Sequence, residues 1–324
     1  MICLNRKTIF LSCVIWLTGC SAGFLGLAPL NDRKEYVQAR DAYADGNYQA
    51  AISQLTDYIY KTKNVARREA RAYRLLGRSY EQIEKPERAL EIYSEALEFH
   101  PKNVPLLLEA GRLYQENGLT TRSIEMYERA LTEEPNNTEA LAGQAVNYTT
   151  LGFYSKARRF YNDFFALSGA VSPLYRARYA STFLRERNYE QAFIHITLAL
   201  EQDPTNADFW RISAEARRGM HQLPQALADL KTAILLAPER TDFLTQKALW
   251  LYEAGRYQAS LQIIQKILNR QPGNALAQLV QALNWQKQGK TAAAKKQFAQ
   301  IAHELQTQPN SFVGQVAKQL AQEK

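Results

Sequence analysis

Residues 70–101 read ARAYRLLGRSYEQIEKPERALEIYSEALEFHP, and residues 104–135 read VPLLLEAGRLYQENGLTTRSIEMYERALTEEP. They are one unit written twice. Gly77 and Gly111, Tyr80 and Tyr114, Ala96 and Ala130, and Pro101 and Pro135 each stand 34 residues apart. A unit of this length holds two antiparallel helices. Small residues at Gly77 and Ala89 let the pair approach, and Ala96 leaves room for the next unit. Tyr80 and Tyr93 fill the remaining space, and Pro101 stops the second helix. One such unit cannot bury its apolar face alone, so copies must stack.

The register runs outward in both directions. A first unit at 32–69 has the turn Gly46-Asn47-Tyr48 and carries four residues too many in 61–70. Units follow at 70–103 and 104–137. The fourth, 138–172, keeps Tyr148, Ala157 and Tyr161, but has Phe164 where Ala is expected, Gly169 where Pro is expected, and one extra residue. A soft joint is expected at 164–173. Units at 173–206, 207–240 and 241–274 end on Pro204, Pro238 and Pro272, again 34 apart, and an eighth spans 275–308. In 309–324, Phe312, Val316 and Leu320 share one helical stripe, as a terminal cap requires.

This pattern resembles the tetratricopeptide repeat. The resemblance implies an all-α, right-handed superhelical solenoid of about eight helix-turn-helix repeats, 32–308, plus a C-terminal capping helix. It also implies a protein-interaction role, with peptide or helix segments of a partner held in the concave groove.

Residues 1–19 have a basic start, Arg6 and Lys7, and an apolar run from Ile9 to Leu17 that is short for a permanent span. The run ends Leu17-Thr18-Gly19-Cys20, which resembles a bacterial lipobox. That resemblance implies cleavage before Cys20, lipid attachment to its sulfur, and a tether over 20–31. Ser21 follows the cysteine. By analogy with Gram-negative lipoproteins this implies the outer membrane, with the body in the periplasm. Cys3, Cys13 and Cys20 are the only cysteines, so the body has no disulfide framework and no cysteine metal site.

The net charge is +8; removing the first 19 residues takes Arg6 and Lys7 and no acid, which leaves +6. No block of Lys/Arg stands out and no nucleic-acid motif accompanies the charge. His100, His195, His221 and His303 are scattered, and neither a paired metal motif nor a phosphate loop occurs. The reading is a non-enzyme with no cofactor and no metal.

In the resembling family the first helix of each repeat lines the groove. Its exposed positions hold Arg33 and Arg40 in repeat 1, Arg71, Arg74 and Arg78 in repeat 2, and Arg112 in repeat 3. Such a cluster suits carboxylates or phosphates; the alternative is a solvated face neutralised by acids such as Glu81 and Glu116. The chaperone-type carboxylate clamp is not matched, because Arg78 and Glu109 stand at its Asn positions. At the far end the same positions give Leu249, Tyr252, Leu276, Leu279 and Leu283. This apolar strip is either a groove for a partner helix or the seat of the terminal helix. The expected function is a membrane-anchored periplasmic scaffold that assists assembly of an envelope complex: pilus/secretin, outer-membrane protein or cell-wall machinery. The alternative is an accessory protein that binds an anionic glycan.

Overall fold

The computed structural model describes residues 30–60, 69–169, 171–306 and 311–322. Those residues form seventeen helices and no strands, the all-α repeat that the 34-residue spacing predicts. The signal segment, Cys20 and most of the tether lie outside the described residues. The chain divides into two compact units at Ile92/Tyr93.

The first unit contains α1 (Leu30–Ala44), α2 (Tyr48–Tyr60), α3 (Ala70–Gln82) and the start of α4 (Pro86–Phe99). Helix α1 begins two residues inside the stretch read as tether. It packs on α2, and α2 on α3. Ala39, Ala51, Leu55, Ala72, Tyr73 and Leu76 are buried.

The second unit continues with α5 (Val104–Glu116), α6 (Thr120–Glu133), α7 (Thr138–Thr150), α8 (Tyr154–Leu167), α9 (Pro173–Arg185) and α10 (Tyr189–Gln202). Then come α11 (Ala207–Gly219), α12 (Leu223–Leu236), α13 (Thr241–Glu253), α14 (Tyr257–Arg270), α15 (Ala275–Lys287), α16 (Thr291–Glu304) and α17 (Phe312–Gln322). From α5 onward each helix packs on the next. Odd-numbered helices also touch across a pair, as α5 with α7 and α13 with α15.

Local chemistry sets the helix ends. Asn103, Asn137 and Asn274 accept the N–H groups of Leu106, Ala140 and Ala277 at 3.1, 3.0 and 3.0 Å, capping α5, α7 and α15. Ser172 stands before α9 but makes no side-chain cap bond. Inside each helix pair the turn needs one residue at positive φ. Gly46, Gly118, Gly152, Gly255 and Gly289 supply it in five pairs; Glu84, Arg187 and His221 supply it in the other three, at φ 56, 60 and 63°. Successive turn residues stand 34 apart except at two steps. Gly46 to Glu84 has four extra residues and Gly152 to Arg187 has one extra, where the sequence carries its insertions.

The junction expected to be soft is filled with rings. Phe164, at the place of the usual Ala, is buried and meets Tyr175 at 4.9 Å and Phe165 at 5.5 Å between ring centres. Tyr179 packs on Phe165, Tyr161 and Phe183. A large side chain holds α8 and α9 further apart than an alanine would, and aromatic area occupies the gap.

Candidate functional site

The six arginines are divided between the units. Arg33 lies on α1, in the turn whose side chains are outside the described residues. Arg40 is exposed and grips Asp41 through Nε and Nη2 at 3.1 and 2.9 Å. Arg71 lies 4.6 Å over the Tyr36 ring and is ion-paired with Glu69, whose carboxylate raises the guanidinium pKa. Arg74 is half-buried and Arg78 exposed, and neither is without a partner. Arg112, in the second unit, donates to Glu116 at 2.8 Å. In the first unit the fold therefore brings Arg71 of α3 onto Tyr36 of α1.

The apolar strip is also divided. Leu279 is buried, and Leu283 packs in the same cluster with Val313, Val316, Ala317 and Leu320 of α17. The terminal helix therefore seats on that half of the strip. Leu249 is half-buried beside Ala248 and Ile264, and Tyr252 meets Tyr257 at 5.7 Å. Leu276 remains 41% exposed.

Leu249 and Leu276 form one wall of a cleft of about 670 Å³ across α11, α13 and α15. Its other wall is charged and fully paired. Arg240 makes two bonds to Asp242, at 2.8 and 2.7 Å, and a third to Asp208 at 3.3 Å. Arg211 donates to Glu215 at 2.7 Å, and Gln246 donates to the same oxygen at 2.9 Å. The Arg240 hydrogen bonds hold the Asp242 carboxyl below the usual range. Arg240 is in turn raised, and its guanidinium lies 4.2 Å over the Phe243 ring. This lattice presents carboxylates, amides and aliphatic carbon side by side, the surface an extended peptide can bridge. It was missed from sequence although Asp208, Arg211 and Glu215 occupy the same repeat positions as Arg71, Arg74 and Arg78.

Among the described residues no three His, Cys, Asp or Glu side chains are grouped to hold a metal. No described helix is long and apolar enough to cross a membrane.

Family models described as tetratricopeptide repeat match residues 36–104, 104–137 and 213–275, together about half of the chain. The chain belongs to the tetratricopeptide-repeat family. No curated protein matches it. Solved tetratricopeptide-repeat folds do. One is a tetratricopeptide repeat protein from Parabacteroides merdae at 18% identity and TM-score 0.60, covering 78% of this chain and 98% of that one. PilW, described as a widely conserved type IV pilus biogenesis factor, is similar at 16% identity and TM-score 0.60, covering 67% and 99%. Pseudomonas aeruginosa pilF is similar at 18% identity and TM-score 0.53, covering 67% and 96%. At these identities the likeness is one of fold. Tetratricopeptide repeats are protein-interaction scaffolds.

Proposed function

We propose that this tetratricopeptide-repeat protein is a lipid-anchored scaffold on the periplasmic side of an outer membrane, holding a protein partner during assembly of an envelope complex. The observation that carries the reading is Leu17-Thr18-Gly19-Cys20 ahead of a body built from interaction repeats. Each buried lipid CH₂ contributes about 0.8 kcal/mol, so two or more acyl chains on Cys20 suffice for stable anchoring. The nine residues from Ser21 to Pro29, ahead of α1, reach at most about 32 Å, which keeps the body near the surface. The fold likeness to PilW makes pilus assembly the first system to test.

Two measurements decide it. Cells fed labelled palmitate incorporate it into the native chain and not into Cys20→Ala, and only the native chain fractionates with outer membrane. Photo-crosslinkers at Gln246 and Leu276 then trap a partner, and Arg74→Ala with Arg78→Ala weakens capture at least about tenfold without loss of helicity, since charge-assisted contacts contribute about 1.5–3 kcal/mol each. Labelled Cys20→Ala would remove the anchor. Absence of any crosslinked protein would remove the scaffold; capture unchanged in the double variant at physiological salt would remove only the arginine groove and return those side chains to a solvated face.

A further inference from the structure

Between Glu253 and Glu304 the chain contains no Asp or Glu, yet it holds seven Lys and Arg from Arg256 to Lys296. The excess positive charge is therefore concentrated by depletion of acids, which a search for Lys/Arg blocks passes over. The repeat before it is different. Arg211, Arg217, Arg218 and Arg240 meet Glu215, Asp229, Glu253 and Asp242 at 2.7, 3.2, 2.6 and 2.7 Å.

Lys247 stands on α13 ahead of Glu253, outside the acid-free stretch, which holds two of its neighbouring cations, Arg256 and Lys266. It occupies on α13 the repeat position that Leu76, fully buried, occupies on α3. Helix α13 packs against both α12 and α14. Lys231 is exposed on α12, Lys266 is exposed on α14, and Arg256 is the exposed cap residue of α14. Burial lowers the Lys247 pKa, and Lys231, Lys266 and Arg256 lower it further. None of the four has an ion-pair partner among the described residues. A half-buried ammonium has lost part of its water and has gained repulsion in exchange.

We propose that Lys231, Lys247, Arg256 and Lys266 form a docking surface for an acidic protein segment, a short run of Asp and Glu side chains. A carboxylate on a flexible arm can reach the recessed Lys247 while neighbouring carboxylates meet the three outer cations. Ammonium groups are point charges without the fork that selects planar bidentate partners, so spaced single carboxylates complement them. A flat anionic lipid surface meets the outer cations but not Lys247. This surface is separate from the groove positions of the first helices. It rests on the reading of the chain as a protein scaffold and names the chemistry of one partner.

The test is fluorescence anisotropy of the purified full chain with a short labelled Glu-rich peptide, beside a peptide with Gln for every Glu. The Glu peptide binds, its affinity falls steeply with salt, and Lys247→Gln or Lys231→Gln with Lys266→Gln weakens it at least about tenfold. Lys247→Met weakens binding while raising Tm, because it removes a desolvated charge; a purely structural lysine would not show that opposition. Equal binding of the Gln peptide overturns the proposal. So does an equal loss in the charge control Arg122→Gln with Arg159→Gln, or binding to phosphatidylglycerol vesicles or polygalacturonate but not to the peptide. If partner crosslinking fails in cells while the purified chain still binds the Glu peptide through Lys247, the scaffold reading falls and the anion surface stands. If partners are captured equally by Lys247→Gln, this surface falls and the scaffold stands.

Discussion

The side-chain amide of Asn147 donates to the hydroxyl of Ser123 at 2.8 Å, and both residues are fully buried. Ser123 passes the bond to the Gly111 carbonyl at 2.7 Å, and Gln115 donates to the Asn147 oxygen at 2.7 Å. The same ladder recurs four repeats later: Asn284 donates to Ser260 at 3.0 Å, and Ser260 to the Ala248 carbonyl at 2.7 Å. A polar residue at the small position is tolerated because the next repeat supplies its partner. Asn147→Ala removes one partner each from Ser123 and Gln115, which keep their bonds to the Gly111 and Gly143 carbonyls, and is expected to cost about 1 kcal/mol in urea unfolding. Adding Ser123→Ala should cost less than the sum of the two single changes, since both act on one network. Full additivity would mean that the bonds do not work as a unit.

Three helix pairs turn on a side-chain residue in the left-handed region. Glu84→Gly, Arg187→Gly and His221→Gly remove the Cβ strain that glycine avoids at Gly118 and Gly255. After the entropy that glycine adds to the unfolded chain, each is expected to stabilise by about 0.5 kcal/mol. Gly118→Ala should act in the opposite sense. Three destabilised glycine variants would place the strain elsewhere.

The Tyr127 ring lies between two glycines. A Cβ on Gly111 would approach it to 2.9 Å and one on Gly143 to 2.3 Å. Gly143→Ala therefore forces the α6–α7 contact apart and is expected to cost about 1–3 kcal/mol. Gly169→Ala, where a Cβ meets nothing within 4 Å, should be close to neutral. Similar melting of the two variants would show that the ring moves aside freely.

His195 is half-buried against Tyr179 and Phe183, with ring centres at 4.6 and 5.5 Å. Burial first, and Arg176 second, lower its pKa below 6.5. Below pH 6.5 the unfolded chain takes up a proton that the folded chain resists. Stability is therefore full above about 6.5 and falls with pH down through the folded value. His195→Gln should flatten that part of the Tm profile between pH 7.5 and 5. A native profile already flat there would remove the effect.

Much of this was legible before any coordinates. The steps of 34 from Gly77 to Gly111 and from Pro204 to Pro238 carried the helix order, because close approach admits few residue types at fixed places. The same count located both insertions. Gly143 was not legible as essential, since its need comes from the Tyr127 ring of the preceding repeat and not from its own helix. Arg112 and Glu116 were visible as an i, i+4 pair, whereas Arg240 and Asp208, 32 residues apart, meet only once repeats stack. Lys247 breaks the apolar pattern of its position in the sequence itself, whereas Lys231 and Lys266, which act on it, come from neighbouring helices and are brought to it only by stacking.

Helix α17 covers Leu279, Ala282, Phe298 and Ile301 through Ala317 and its neighbours. It presents Lys318 and Gln319 on its other side, both exposed. A repeat stack has no internal reason to end, since the last pair offers the next the same surface it received. Chains cut before Phe312 would therefore carry an adhesive edge, and copies would grow onto one another as filaments or precipitate. The eleven-residue helix α17 is in this sense a stopper for the apolar edge that α15 and α16 would otherwise present.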